Sequence, residues 1–270
     1  MRTREVVIAV SVAAMVVLLA YAIEVGGLGP IAPQRIRDLA ATYLINTYNP
    51  WNITLSSLSL EAVTAIVWDY RGIDTFFETS VLFVAIVGVT SLLRGFREKT
   101  GLSSAGLSEI VKTSTKVLAP LILVAGVAIA LHGHLTPGGG FQGGSFIAVL
   151  FILLSVTFSL DYAISYGISS RKLLALRSGG LIGILVTSLA LLIASLILGV
   201  NSYIFQNMAR EGAPLSMPSW FLDRPTGGTL IWFNTFEALA VAAGISLAFL
   251  VLSLREEEVE EALGQVEWYE

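Results

Sequence analysis

Two groups of residues in this sequence could do chemistry. One is a pair of histidines beside a glycine run, HGHLTPGGGFQGG at 132–144; the other is a set of acids beside or within apolar runs. A phosphate-cradling loop needs a lysine and a hydroxyl after its glycines, at the start of a helix that follows a strand. Here Ser145 follows the last glycine, and no basic residue lies between Lys116 and Arg171, so phosphate binding is not expected. His132 and His134 are spaced i, i+2 and do not share a helical face; no Cys, Asp or Glu lies near to complete a metal shell, so no metal is expected. Pro137 and the glycines Gly138, Gly139, Gly140, Gly143 and Gly144, with Phe141 and Gln142 between them, are expected to end one helix and reverse the chain tightly, small residues allowing close helix approach. Gln142 reads as a helix-start or inter-helix hydrogen-bonding group. Two readings of the histidines stay open: satisfied groups at a membrane boundary, or neutral imidazoles able to pass a proton.

A carboxylate inside a membrane costs at least a few kcal/mol, which makes it a functional candidate. In DYRGIDTFFETSVLFVAIVG at 69–88, Asp74 and Glu78 fall one helical turn apart on one face. Their mutual repulsion would raise the affinity of one of them for a proton or a sodium ion, with Asp69 and Arg71 close enough to modulate the pair. The alternative is that Asp69, Arg71 and Asp74 cap the helix start while Glu78 faces a neighbouring subunit. Glu237, in LIWFNTFEALAVAAGISLAFLVLS at 230–253, is placed about ten residues into its helix, on the order of 15 Å deep and near the bilayer centre. Asn234, one turn before it, could hydrogen-bond the acid. A proton relay and a structural bridge to another helix are both open for Glu237.

The elements that must carry these residues are membrane helices. The chain has 270 residues, of which 55% are hydrophobic and 13% charged, a balance typical of membrane proteins. Six apolar segments approach or reach the length needed to cross hydrocarbon: residues 6–25, 76–93, 117–131, 146–160, 181–200 and 230–254. Backbone groups in lipid must bond within their own segment, so each is taken as a helix. The expected fold is all-α, a polytopic integral membrane protein in the cell membrane with six transmembrane helices, the first retained as a helix and not cleaved as a signal. With both termini cytoplasmic, the inner segments hold eleven Lys and Arg residues, Arg177 among them, against five outside, the asymmetry expected of cytoplasmic loops. Residues 26–75 form an outer stretch in which 33–47 reads as a short amphipathic interfacial helix. A charged and then Gly/Ser-rich linker at 95–108 divides a two-helix front, 1–94, from a four-helix back, 109–254, and an acidic cytoplasmic tail follows at 255–270. The absence of cysteine excludes thiolate chemistry and Cys-based clusters, and a net charge of −4 gives no footprint for nucleic acid. No nucleophile–base set is visible, so no catalytic residue and no cofactor are expected for the chain on its own.

The motif GHLTPGGGFQGG, followed by a long apolar helix, resembles the B subunit of Mrp-type multisubunit sodium/proton antiporters, over about residues 107–254. The segment DYRGIDTFFETSVLFVAIVGVTSLLRG is similar to the C-terminal region of the large A subunit of the same antiporters. The resemblance implies that in archaeal membrane-bound hydrogenases and related sulfur-reducing complexes this second region forms a small separate subunit beside the B-like one. It implies a non-redox membrane subunit of a Complex I-related respiratory complex, whose partners are other membrane subunits and hydrogenase-like soluble subunits. It also places Asp74 and Glu78 in an element associated with a cation path, and His134 in the B-type signature without a role. Glu237 is carried by the physical argument alone.

Overall fold

The computed structural model describes residues 3–27, 35–92, 106–221 and 223–253. Most of the expected linker at 95–108 and all of the acidic tail at 255–270 lie outside the described residues. Among those described, six helices are long and apolar enough to cross a membrane. They are α1 (Thr3–Glu24), α4 (Gly72–Leu92), α5 (Glu109–Leu131), α6 (Gly140–Phe158), α8 (Ser170–Leu198) and α9 (Leu230–Leu252). Between them lie the shorter helices α2 (Asp38–Thr47), α3 (Ala62–Thr64), which runs into a π-helical turn at Ala65–Tyr70, and α7 (Leu160–Ser165). Two short strands, β1 (Trp220–Phe221) and β2 (Arg224–Pro225), pair antiparallel.

Each apolar run coincides with one long helix, but three helices start well before the run that signals them. α5 begins at Glu109, α6 at Gly140 inside the glycine motif, and α8 at Ser170. The physical reason is that hydropathy marks where side chains meet lipid, whereas a helix extends as far as its backbone can be bonded and its first N–H groups satisfied. Ser169 caps α8 by accepting from the Lys172 N–H at 3.4 Å. The glycine motif is therefore only half a turn, its second half being the first turn of a helix.

The chain divides into two compact units, 1–41 and 42–270. The first holds α1, whose described side chains are exposed along its length. In the second, α9 is the most enclosed span, packed by α6 and α8 with α4 and α5 alongside. Its core is the cluster Trp68, Ile184, Leu230 and Phe233, in which the Trp68 and Phe233 rings stack 4.6 Å apart.

Three connecting segments meet at one end of this unit. Asn207 donates to the Ser57 carbonyl at 3.1 Å and accepts from the Thr229 N–H at 2.8 Å. Ser59 Oγ donates to the His134 carbonyl at 2.8 Å, and His134 Nε2 bonds the Pro225 carbonyl at 3.1 Å. This cap holds the π-turn over the ends of α4, α6 and α9 and so presents Trp68 to the helices below.

Candidate functional site

Beneath that cap, α4, α9, the π-turn and the glycine motif enclose a cleft of about 460 Å³. Glu78 of α4 and Glu237 of α9 both line it, with Asn234, Gln142, Trp68 and Gly138, Gly139 and Gly140. Glu237 is 8% exposed, while Glu78 is exposed on the open side of the cleft. Glu78 is the charged neighbour of Glu237, and the Phe141 backbone N–H and the Trp68 indole are its polar neighbours. The Trp68 Nε1–H faces this carboxyl without closing a full hydrogen bond, so the site holds a donor in reserve.

The glycines make this arrangement possible. A methyl group on Gly140 would stand 2.5 Å from both the Asn234 carbonyl oxygen and Glu237 Oε2, so only glycine lets the start of α6 rest against α9 here. The Gly140 N–H donates to Asn234 Oδ1 at 3.3 Å. The Phe141 N–H and the partial positive charge of the α6 N-terminus thus lie against the Glu237 carboxyl, a favourable place for an anion. Among the described residues no group of three or more His, Asp or Glu side chains gathers to hold a metal. Two carboxylates with amide and carbonyl oxygens make an all-oxygen set, suited to a proton or a hard cation.

The structure redistributes the expected site residues. Asp74 does not join Glu78: it pairs with Arg71 at 2.7 Å, both side chains exposed, and lines a second hollow with Asp69 and Arg210. The α4 helix start therefore turns these two charges to the surface, and the charged neighbour of Glu78 comes from α9. Asp69 is also absent from the Arg71–Asp74 pair. Its side chain, 1% exposed, accepts from Ser57 Oγ at 2.6 Å and pairs with Arg210 at 3.3 Å. Burial pushes the Asp69 carboxyl up from the ordinary carboxylate value, against the Ser57 bond and the Arg210 charge. Asn234 does not cap Glu237, since its Oδ1 is used by Gly140 and its Nδ2 has no partner. Glu237 is shallower than expected: α9 begins at Leu230, where the apolar run begins, so the acid is only about 10 Å along the helix and not about 15 Å.

The two histidines differ. His132 is exposed, with Nδ1 bonded to the Ala128 carbonyl at 2.9 Å. His134 is 2% exposed and belongs to the cap, and its Nδ1 has no partner. Burial holds the His134 imidazole below the ordinary histidine value, opposed by the bond to Pro225 and aided by His132. Pro137 is exposed at the turn.

Three further residues carry no sequence signal pointing to their place in the fold. Trp68 reads as one aromatic among many before the π-turn aims it inward. Arg210 reads as an outer-loop cation. Arg177 is counted with an inner loop because the apolar run begins at 181, yet it is fully buried within α8.

A family model described as a domain related to the MnhB subunit of Na+/H+ antiporters matches residues 110–247, half of the chain. An uncharacterised protein of Methanocaldococcus jannaschii is 28% identical over 216 residues, 73% of this chain and 79% of its own. A Staphylococcus epidermidis protein described as antiporter subunit mnhB2 is 28% identical over 107 residues, 39% of this chain and 70% of its own. Among solved structures, a chain of the membrane-bound sulfane sulfur reductase, an archaeal respiratory membrane complex, superposes with a TM-score of 0.63 at 25% identity. The match covers 90% of this chain and 97% of that one. A chain of the Mrp complex from Dietzia sp. DQ12-45-1b shares the fold, with a TM-score of 0.61 at 21% identity over 93% of this chain and 26% of that one. Coverage of 90% leaves too few residues unmatched to omit the front region. The likeness to that chain thus runs over both regions of this one.

Proposed function

Because the chain belongs to the family of domains related to the MnhB subunit of Na+/H+ antiporters, we propose that it is a non-redox membrane subunit of a multisubunit antiporter module that contributes to proton and sodium translocation. The observation that carries this reading is the convergence of Glu78 and Glu237, distant in sequence and on different membrane helices, on one cleft. Each carboxylate in hydrocarbon costs several kcal/mol, and a fold selected only for helix packing gains nothing by placing two side by side. Two carboxylates sharing a site repel each other when both are ionised, so the pair is suited to taking up a proton or a sodium ion. A site that holds one in place of the other is the elementary requirement of exchange.

Glu78 lies on the open side of the cleft, which supports a further membrane subunit as the missing wall. The likeness to a chain of a respiratory membrane complex supports placing this subunit in a Complex I-related assembly of hydrogenase or sulfur-reducing type, with soluble redox subunits as partners. Asp74, Asp69 and Arg71 line the second hollow, where each acid is paired with an arginine, which supports a structural role for these three.

The test is Glu78→Gln and Glu237→Gln in the assembled complex, with sodium-dependent proton movement measured in vesicles. Each is expected to assemble normally and to lose transport by about tenfold or more. Normal transport in both would instead make the chain a purely structural subunit that seals and positions its partners.

A further inference from the structure

Arg177 is a buried cation for which the site described above has no use. Its side chain is 0% exposed. Nη1 donates to the Ala240 carbonyl of α9 at 2.8 Å, the Phe83 ring of α4 lies 5.7 Å from the guanidinium carbon, and Nε and Nη2 have no partner. Gly244 leaves the room it occupies, since a methyl there would fall on Nη1. An arginine keeps its charge even when buried, and such charges are ordinarily paired. Among the described residues no carboxylate is paired with it.

Its position relative to the cleft gives it a role. The cleft lining extends one turn inward from each acid, to Leu82 on α4 and Val241 on α9. The neighbours of those two residues in sequence, Phe83 and Ala240, are the groups that hold the guanidinium. The titratable groups on the elements packed around Arg177 are Asp74 and Glu78 on α4, Glu237 on α9, and Arg171 and Lys172 at the start of α8. Asp74 is paired with Arg71, and Arg171 and Lys172 are exposed at the α8 start, before Arg177 in the helix, leaving Glu78 and Glu237 as the negative groups on these elements.

We propose that Arg177 is the fixed cation at the inner floor of the Glu78–Glu237 cleft, a positioning residue whose charge sets how tightly the cleft holds a sodium ion or a proton. The inference rests on the ion-handling reading of that cleft. When both acids are empty, the guanidinium offsets their charge. When a cation is loaded, the same charge repels it, which speeds release and opposes passage inward past the floor.

The experiment compares Arg177→Gln, which removes the charge but keeps a donor for the Ala240 carbonyl, with Arg177→Lys, which keeps the charge. Both are made in the assembled complex and assayed beside Glu237→Gln. A unit charge roughly 10 Å away at an effective dielectric constant of about 20 alters cation affinity on the order of tenfold. Arg177→Gln should therefore lower the apparent KM for sodium by about tenfold and move the pH profile of transport upward by about one unit, while Arg177→Lys keeps both near the parent values. An unchanged KM and pH profile in Arg177→Gln would overturn the inference. So would displaced values in Arg177→Lys, whether or not the neutral variant assembles. Normal transport in Glu78→Gln and Glu237→Gln would instead overturn the functional reading beneath it.

Discussion

Asp69, with its side chain 1% exposed, shows how single buried polar groups shape this protein. Its carboxylate must be compensated inside the structure, and Ser57 and Arg210 do so from segments far apart in sequence. Removing one partner of such a pair is expected to cost several kcal/mol, because a buried charge is left alone. His134 is the opposite case, a base kept neutral by burial. The bond to the Pro225 carbonyl requires the proton on Nε2, which leaves Nδ1 bare. A histidine whose folded value lies below its unfolded value of 6.5 contributes stability that is present above 6.5 and lost as pH falls through the folded value. Thermal unfolding followed between about pH 7 and pH 5 should therefore show a falling midpoint, and His134→Gln should flatten that fall. An unchanged slope in the variant would assign the acid sensitivity to other groups. Asp69, displaced upward, acts in the opposite sense, its contribution being lost as pH rises through its folded value.

At the scale of elements, the start of α6 does the most. Its first turn is the second half of the glycine motif, and Gly140 brings it into contact with Asn234 and Glu237. Gly140→Ala should destabilise by about 1–3 kcal/mol, as overpacking of a closed interface does, and reduce transport by displacing the α6 N-terminus from the acid. Gly88 in α4 has nothing within 4 Å of the place a methyl would occupy, so Gly88→Ala should be neutral or slightly stabilising, since alanine is the better helix former. Melting temperature and vesicle transport measured on the two variants check this contrast, and equal destabilisation would remove the special role of Gly140. The motif itself was legible in the sequence as a break between helices. That it builds the wall of an acid site was not, because the carboxylate that it faces lies on another helix, and nothing in a local window of glycines marks such a partner.

For the molecule as a whole, the connections before α4, between α5 and α6, and between α8 and α9 are bonded into one cap, so the chain crosses between two ends in regular alternation from α4 to α9. We propose that the other end, where the sequence carries its excess of Lys and Arg, faces the cytoplasm; the excess survives removal of Arg177 from the loop count. A protease-sensitive tag on the C-terminus should be cut in inside-out vesicles and protected in right-side-out ones; the reverse would invert the topology. The sequence by itself determined the spans and their approximate positions, because lipid accepts only internally bonded, apolar segments of a minimum length. It also marked Glu78 and Glu237 individually, since an acid in such a segment is costly wherever it stands. Only the tertiary structure decided that these two share a cleft, that Asp74 turns away to Arg71, and that Arg177 lies beneath the pair and not in a loop. Which helix faces meet depends on how side chains from several helices interlock at close range, and hydropathy along one chain carries no record of that choice.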